Sequence, residues 1–132
     1  MMRCLRALAI AVICAPAFAA AQPSDPCAGP TTAEMRMCAA QKLGAVEAEL
    51  QRYLDAARRV ARPPSALDAS QAAWMGYRDH ACRAAASQYE GGSLQPVVAL
   101  DCRLRLARER TLELWRAYLA EQGDLQQPAT TP

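Results

Sequence analysis

The stretch CRAAASQYEGGSLQPVVALDC, residues 82–102, decides the fold. Two helix-forming runs meet at Gly91-Gly92, and each carries a cysteine at its far end. Cys82 lies seven residues before Tyr89, and Cys102 lies nine residues after Ser93. Positions at similar distances from a helix–helix turn stand at similar heights on adjacent antiparallel helices. There they reach the ~5.5 Å Cα separation that a disulfide needs. The two glycines end one helix, and Ser93 is placed to cap the next. Pro96 falls in a first turn, where its missing N–H has no internal partner to lose. The stretch reads as a stapled helical hairpin.

Upstream, Leu67, Gln71, Trp74, Arg78, Ala81 and Ala85 recur at three- and four-residue steps, one side of a helix reaching Ser87 or Gln88. Ser65 is its expected cap, with Asp68 three residues on. Arg62-Pro63-Pro64 separates it from an earlier helix, because proline disfavours helical geometry in the residue before it. That earlier helix opens on Thr31-Thr32-Ala33-Glu34, which has capping-box spacing. Met35, Ala39, Val46, Leu50, Tyr53, Leu54, Ala57 and Ala61 then form an apolar stripe about eight turns long. Gly44 inside it costs ~1 kcal/mol against alanine and is read as the mark of a close contact. Downstream of residue 93, Val98, Leu100, Leu104, Leu106, Leu112, Leu114, Trp115 and Leu119 cover more than one stripe, which places the third helix against both others. With no strand-like alternation and no internal repeat, the fold class is all-α, a three-helix up–down arrangement.

The chain begins as an export signal does. Arg3 and Arg6 supply a positive start, Ala7 to Ala15 an apolar run, and Ala17-Phe18-Ala19 or Ala19-Ala20-Ala21 a small-x-small cleavage site. The run is shorter than the ~20 residues that span a bilayer. Residues 1–21 are therefore expected to be removed, leaving a helical domain over 22–123 and a flexible tail over 124–132. The mature chain is expected to be exported, periplasmic or secreted, and not embedded in a membrane. Arg3 and Arg6 leave with the leader, so the 15 basic residues fall to 13 against 13 acidic ones. Nucleic-acid binders carry a basic face or a high pI, so no nucleic acid is expected as partner. Nothing in the pattern sets an oligomeric state.

Six cysteines become four on leader removal: Cys27, Cys38, Cys82 and Cys102. An even number in an exported chain of this size implies a disulfide framework. Zinc is disfavoured by the absence of any C-x₂-C spacing and by a single histidine, His80. The hairpin geometry favours Cys82–Cys102, which leaves Cys27 for Cys38; a crossed pairing is compatible with the count.

Chemistry-bearing constellations are sparse. The cysteines are committed to bridges, His80 beside Asp79 reads as a surface residue, and no phosphate loop, H-E-x-x-H or calcium loop occurs. No metal, cofactor or catalytic residue is expected, and the chain is not read as an enzyme. Glu47 with Glu49, and Glu109 with Glu113, read as solvent-facing charges. Trp74, Tyr77 and Trp115 read as core. Arg78-Asp79 lies near that core, where an arginine needs an acidic partner; Glu49, Asp101 and Glu109 are the candidates.

The chain resembles the LprI-like family of exported lysozyme-inhibitor domains. The resemblance rests on Cys27 through Thr31-Thr32-Ala33-Glu34-Met35 to Cys38, and on Ala48-x-Leu50-x-x-Tyr53. It is densest in Ser70-Gln71-Ala72-Ala73-Trp74-x-x-Tyr77-Arg78-Asp79-x-x-Cys82, and continues through Tyr89-Glu90-Gly91-Gly92-Ser93 to Cys102, Arg110 and Leu114. Ala107 departs from it, standing where threonine is expected. Trp74, Tyr77, Arg78, Asp79 and Arg110 are assigned to a structural core and ion pair. The resemblance implies a binding protein whose partner is a protein, namely a lysozyme. An immunity or interaction protein for another periplasmic or cell-wall-targeting partner would carry the same features. An inhibitor must fill a long sugar cleft, and Tyr89, Glu90, Gly91, Gly92 and Ser93 form the loop suited to it, with tyrosine a favoured interface anchor. The same glycines and serine are what helix capping requires.

Overall fold

The computed structural model describes residues 27–129. The leader expected over 1–21 lies outside them. Three helices follow in order: α1 (Thr32–Val60), α2 (Pro64–Ser87) and α3 (Gln95–Leu114), the last continuing into a π-helical turn, Trp115–Leu119. Among the described residues there is no strand, and no helix is long and apolar enough to cross a membrane.

The capping box forms as the spacing requires. The Thr31 hydroxyl accepts from the Glu34 backbone N–H at 3.2 Å, and the Glu34 carboxylate accepts from the Thr31 N–H at 3.1 Å. The Thr31 hydroxyl also donates to that carboxylate. Helix α1 then buries Leu43, Val46, Leu50, Leu54 and Ala57. Helix α3 packs along both other helices, while α1 and α2 touch each other far less. Leu67, Leu104, Ala107 and Leu114 complete the core; each buried leucine stabilises by ~1.5–3 kcal/mol over its exposed state. Met35, expected on the buried stripe, is exposed. Gly44 marks no close contact, since a Cβ there would meet nothing.

Two caps differ from expectation for one reason each. Helix α2 starts at Pro64, with Pro63 extended ahead of it, so Ser65 is already inside the first turn and caps nothing. Proline at the first position supplies a helical φ in advance. Helix α3 is preceded by Leu94 rather than Ser93 and has no side-chain cap. The loop spends its polar groups on itself instead. Gly91 takes φ +74, the Gly92 N–H donates to the Tyr89 carbonyl at 2.9 Å, and the Gly91 N–H donates to the Gln95 side-chain oxygen at 3.3 Å.

The disulfides are Cys27–Cys38, with Cα atoms 4.8 Å apart, and Cys82–Cys102, at 5.5 Å. The crossed pairing is absent. After α3 the chain turns more widely, the Ala120 N–H reaching the Trp115 carbonyl at 2.8 Å. Within the stretch expected as a tail over 124–132, residues up to Ala129 are described and lie against the bundle. The Trp115 indole donates to the Leu125 carbonyl at 3.0 Å, the Tyr53 hydroxyl donates to the Gln126 carbonyl at 2.6 Å, and Pro128 is buried. Two large side chains with a polar tip each needed a partner there, and the tail backbone is that partner.

Candidate partner-binding surface

At mid-height the bundle carries a polar layer built on Trp74. The Arg110 side chain, 5 % exposed, donates through Nε to Gln71 Oε1 at 3.1 Å and through Nη2 to Ser70 Oγ at 3.0 Å, and pairs with Glu113 at 2.9 Å. The Arg78 guanidinium donates to Glu47 at 2.8 Å and lies 4.9 Å from the centroid of the Trp74 ring. Arg110 approaches the same ring at 6.0 Å. A tryptophan near two guanidinium groups gains cation–π attraction from both. The expected partners of Arg78, namely Glu49, Asp101 and Glu109, are not the ones used. Glu49 pairs with Arg52 and Glu109 with Arg105. Glu47 and Glu113, which pattern alone marks as solvent-facing, neutralise the two arginines of this layer. A buried arginine left without its acid is costly, and the helix register at Glu47 and Glu113 settles which acids are in reach.

Asp79 pairs with Arg103 at 3.5 Å, tying α2 to α3. His80 is exposed, and its ring Nδ1 lies 3.2 Å from the Arg83 guanidinium. Ser70, Gln71, Trp74, Arg78, Asp79 and Cys82 thus all have structural partners. Tyr77 is the exception. Expected in the core, it is 60 % exposed, because its position on α2 turns away from both neighbours.

The sequence-derived binding loop lies at the end of the bundle where α1 begins, α2 stops and α3 starts. Tyr89 is 45 % exposed, Glu90 is exposed, and Gly91 to Ser93 form the bend beneath them. Gly92 is confined: a Cβ there would come within 3.1 Å of the Tyr89 carbonyl oxygen. Gly92 and Ser93, with Pro96, share a hollow with Thr32, Ala33 and Arg36, so the base of the loop rests near the first turn of α1. Leu94, Met35 and Met37 are also exposed at this end. Turn chemistry marked the loop in the sequence. The exposed methionines carried no such signal, since an apolar residue at helical spacing reads as core.

The fold and these features define a disulfide-stapled all-α domain with Tyr89, Glu90, Leu94, Met35 and Met37 exposed at one end. The profile of the family described as lysozyme inhibitor LprI matches residues 24–114, and the chain belongs to that family. It is also similar to the uncharacterized protein R02472 of Rhizobium meliloti (strain 1021). The two are 32 % identical over 126 residues, covering 82 % of this chain and 89 % of that protein. No solved structure matches.

Proposed function

We propose that the mature domain is an exported inhibitor that binds a lysozyme and blocks its sugar cleft with the loop Tyr89–Ser93. It acts by occupying the enzyme and not by turnover. The observation that carries the reading, given the family, is the braced loop itself. Tyr89 and Glu90 are held outward by a turn whose own hydrogen bonds are already made, so little ordering entropy is lost when a partner engages. The carboxylate of Glu90 suits a cationic or carboxylate-pairing group in the cleft. The 13 basic and 13 acidic residues of the mature chain supply no long-range attraction to a cationic enzyme. That balance favours the second reading, an immunity or interaction protein for a different envelope partner.

The test is titration of the oxidised mature chain against c-, g- and i-type lysozymes, with lysis of cell-wall substrate as readout. Saturable inhibition of one class is expected, and Tyr89→Ala should weaken it at least about 30-fold, the ~2 kcal/mol of an interface anchor. Failure to inhibit any class, by protein proven folded and disulfide-bonded, would move the assignment to the second reading.

A further inference from the structure

The two disulfides stand in different surroundings. Cys82 is 1 % exposed, and its bond to Cys102 joins α2 to α3 within their packing. Cys27 is exposed and lies in the turn ahead of α1, outside any helix; its partner Cys38 is buried on α1. Between α1 and α3 runs a groove of about 180 Å³, lined by Cys27 and Gly29 together with the apolar Met35, Ala39 and Val97. The leading segment is therefore one wall of this groove, fastened to α1 by the Cys27–Cys38 bond.

We propose that Cys27–Cys38 is a thiol-exchange latch. A dithiol reductant opens it selectively, the leading segment leaves the groove, and Cys82–Cys102 keeps the bundle folded. Exchange needs a thiolate to reach a sulfur along the S–S axis, so access decides which bond reacts. The thiolate attacks the Cys27 sulfur, the S–S bond breaks, and its electron pair stays on the Cys38 sulfur, which takes a proton from water. The second thiol of the reductant then attacks the mixed disulfide and releases Cys27 as a thiolate, which also takes a proton. Two electrons and two protons pass to the protein, and the dithiol becomes a disulfide. Cys82 is buried and offers no such approach, and Cys102 is only partly exposed where Cys27 is fully so, which makes Cys82–Cys102 the slower bond to open.

Opening the latch reaches the loop. Thr32, Ala33 and Arg36 of α1 share a hollow with Gly92, Ser93 and Pro96, so loosening the start of α1 loosens the support of the loop. This consequence, and only this one, rests on the inhibitor reading.

The test treats the oxidised mature chain with graded dithiothreitol, quenches with N-ethylmaleimide, and maps the labelled cysteines by peptide mass. Cys27 and Cys38 should be labelled at least about ten-fold faster than Cys82 and Cys102, given the dependence of exchange on access. Helical circular dichroism should persist, and hydrogen exchange should rise over residues 27–42 and 97–101 while 50–60 stays protected. The double variant C27S/C38S should reproduce that exchange pattern without reductant. Simultaneous opening of both bonds, earlier opening of Cys82–Cys102, or global unfolding of the double variant would each overturn the latch. Inhibition of a responsive lysozyme should fall in the selectively reduced protein; unchanged inhibition there would overturn the link to the loop. Labelling and exchange need no lysozyme, so failure of the inhibitor reading leaves them decisive.

Discussion

Where α1 begins and α3 starts, two disulfides close the bundle, while Met35, Met37, Tyr89 and Leu94 stand exposed. At the opposite end no bridge joins the described residues. Tyr53, Ala56 and Leu119 are buried there, with Val60, Trp115, Tyr118 and Leu125 packed around them. Arg58 adds a tie between helices, meeting Asp68 of α2 at 2.8 Å and Asp55 of its own helix at 3.0 Å. The packed end is held by removing apolar surface from water. The stapled end is held largely by what the bridges deny the unfolded chain. A bridge consumes almost no surface, so an end closed that way can keep large apolar side chains exposed.

The largest effect that would test this contrast belongs to the packed side. Leu114, 1 % exposed, joins α3 to the core just before the π turn. Leu114→Ala should cost about 3 kcal/mol, read as a shift of the denaturant midpoint. Leu94→Ala at the stapled end should stay within about 0.5 kcal/mol, and a comparable loss at both positions would break the contrast. Next come the bridges. Sequence separations of 20 and 11 give chain-entropy contributions of about 3.3 kcal/mol for Cys82–Cys102 and about 2.8 kcal/mol for Cys27–Cys38. Replacing each pair by serine and measuring urea unfolding checks both values and their order.

Much of this arrangement is legible in the residues themselves. Three helices and the places where they turn follow from period and from proline and glycine placement; cysteine heights favour Cys82–Cys102 and leave Cys27 for Cys38, with the crossed pairing still open in the sequence. The hidden parts depend on what lies across the bundle. That Glu47 serves Arg78 and Glu113 serves Arg110 depends on helix register, and no local pattern encodes register between helices. Tyr77 looks like core because it follows Trp74 by three residues, yet the narrow contact between α1 and α2 leaves that side of α2 uncovered. The docked tail had one readable sign, an indole N–H at Trp115 placed where burial demands an acceptor. Of the candidate binding site, turn chemistry identified the loop, while its seat against the first turn of α1 emerges only in three dimensions.

Smaller effects sharpen the comparison. Trp115→Phe removes the hydrogen bond to the Leu125 carbonyl and should cost about 1 kcal/mol, with faster hydrogen exchange confined to 125–129. Smallest is a pH effect at the stapled end. Hydrogen bonds from the Thr31 hydroxyl, and then from its backbone N–H, hold the Glu34 carboxyl below its ordinary pKa. A carboxylate so depressed favours the folded state above its unfolded pKa and loses that contribution as pH falls through the folded value. Glu34→Gln should therefore narrow the stability difference between neutral and acid pH. An unchanged pH profile would assign the capping box no electrostatic share.

Three antiparallel helices put the start of α1 and the end of α3 at opposite poles of the bundle. The 29 residues of α1 span about 43 Å, so the first described residues and the π turn stand roughly that far apart. Ala129, the last described residue, lies beside Arg108, Glu109 and Leu112, well away from Tyr89. A dye or sensor-chip attachment at Ala129 therefore gives the experimenter a handle on the side of α3, whereas one at Cys27 stands at the same end of the bundle as the loop.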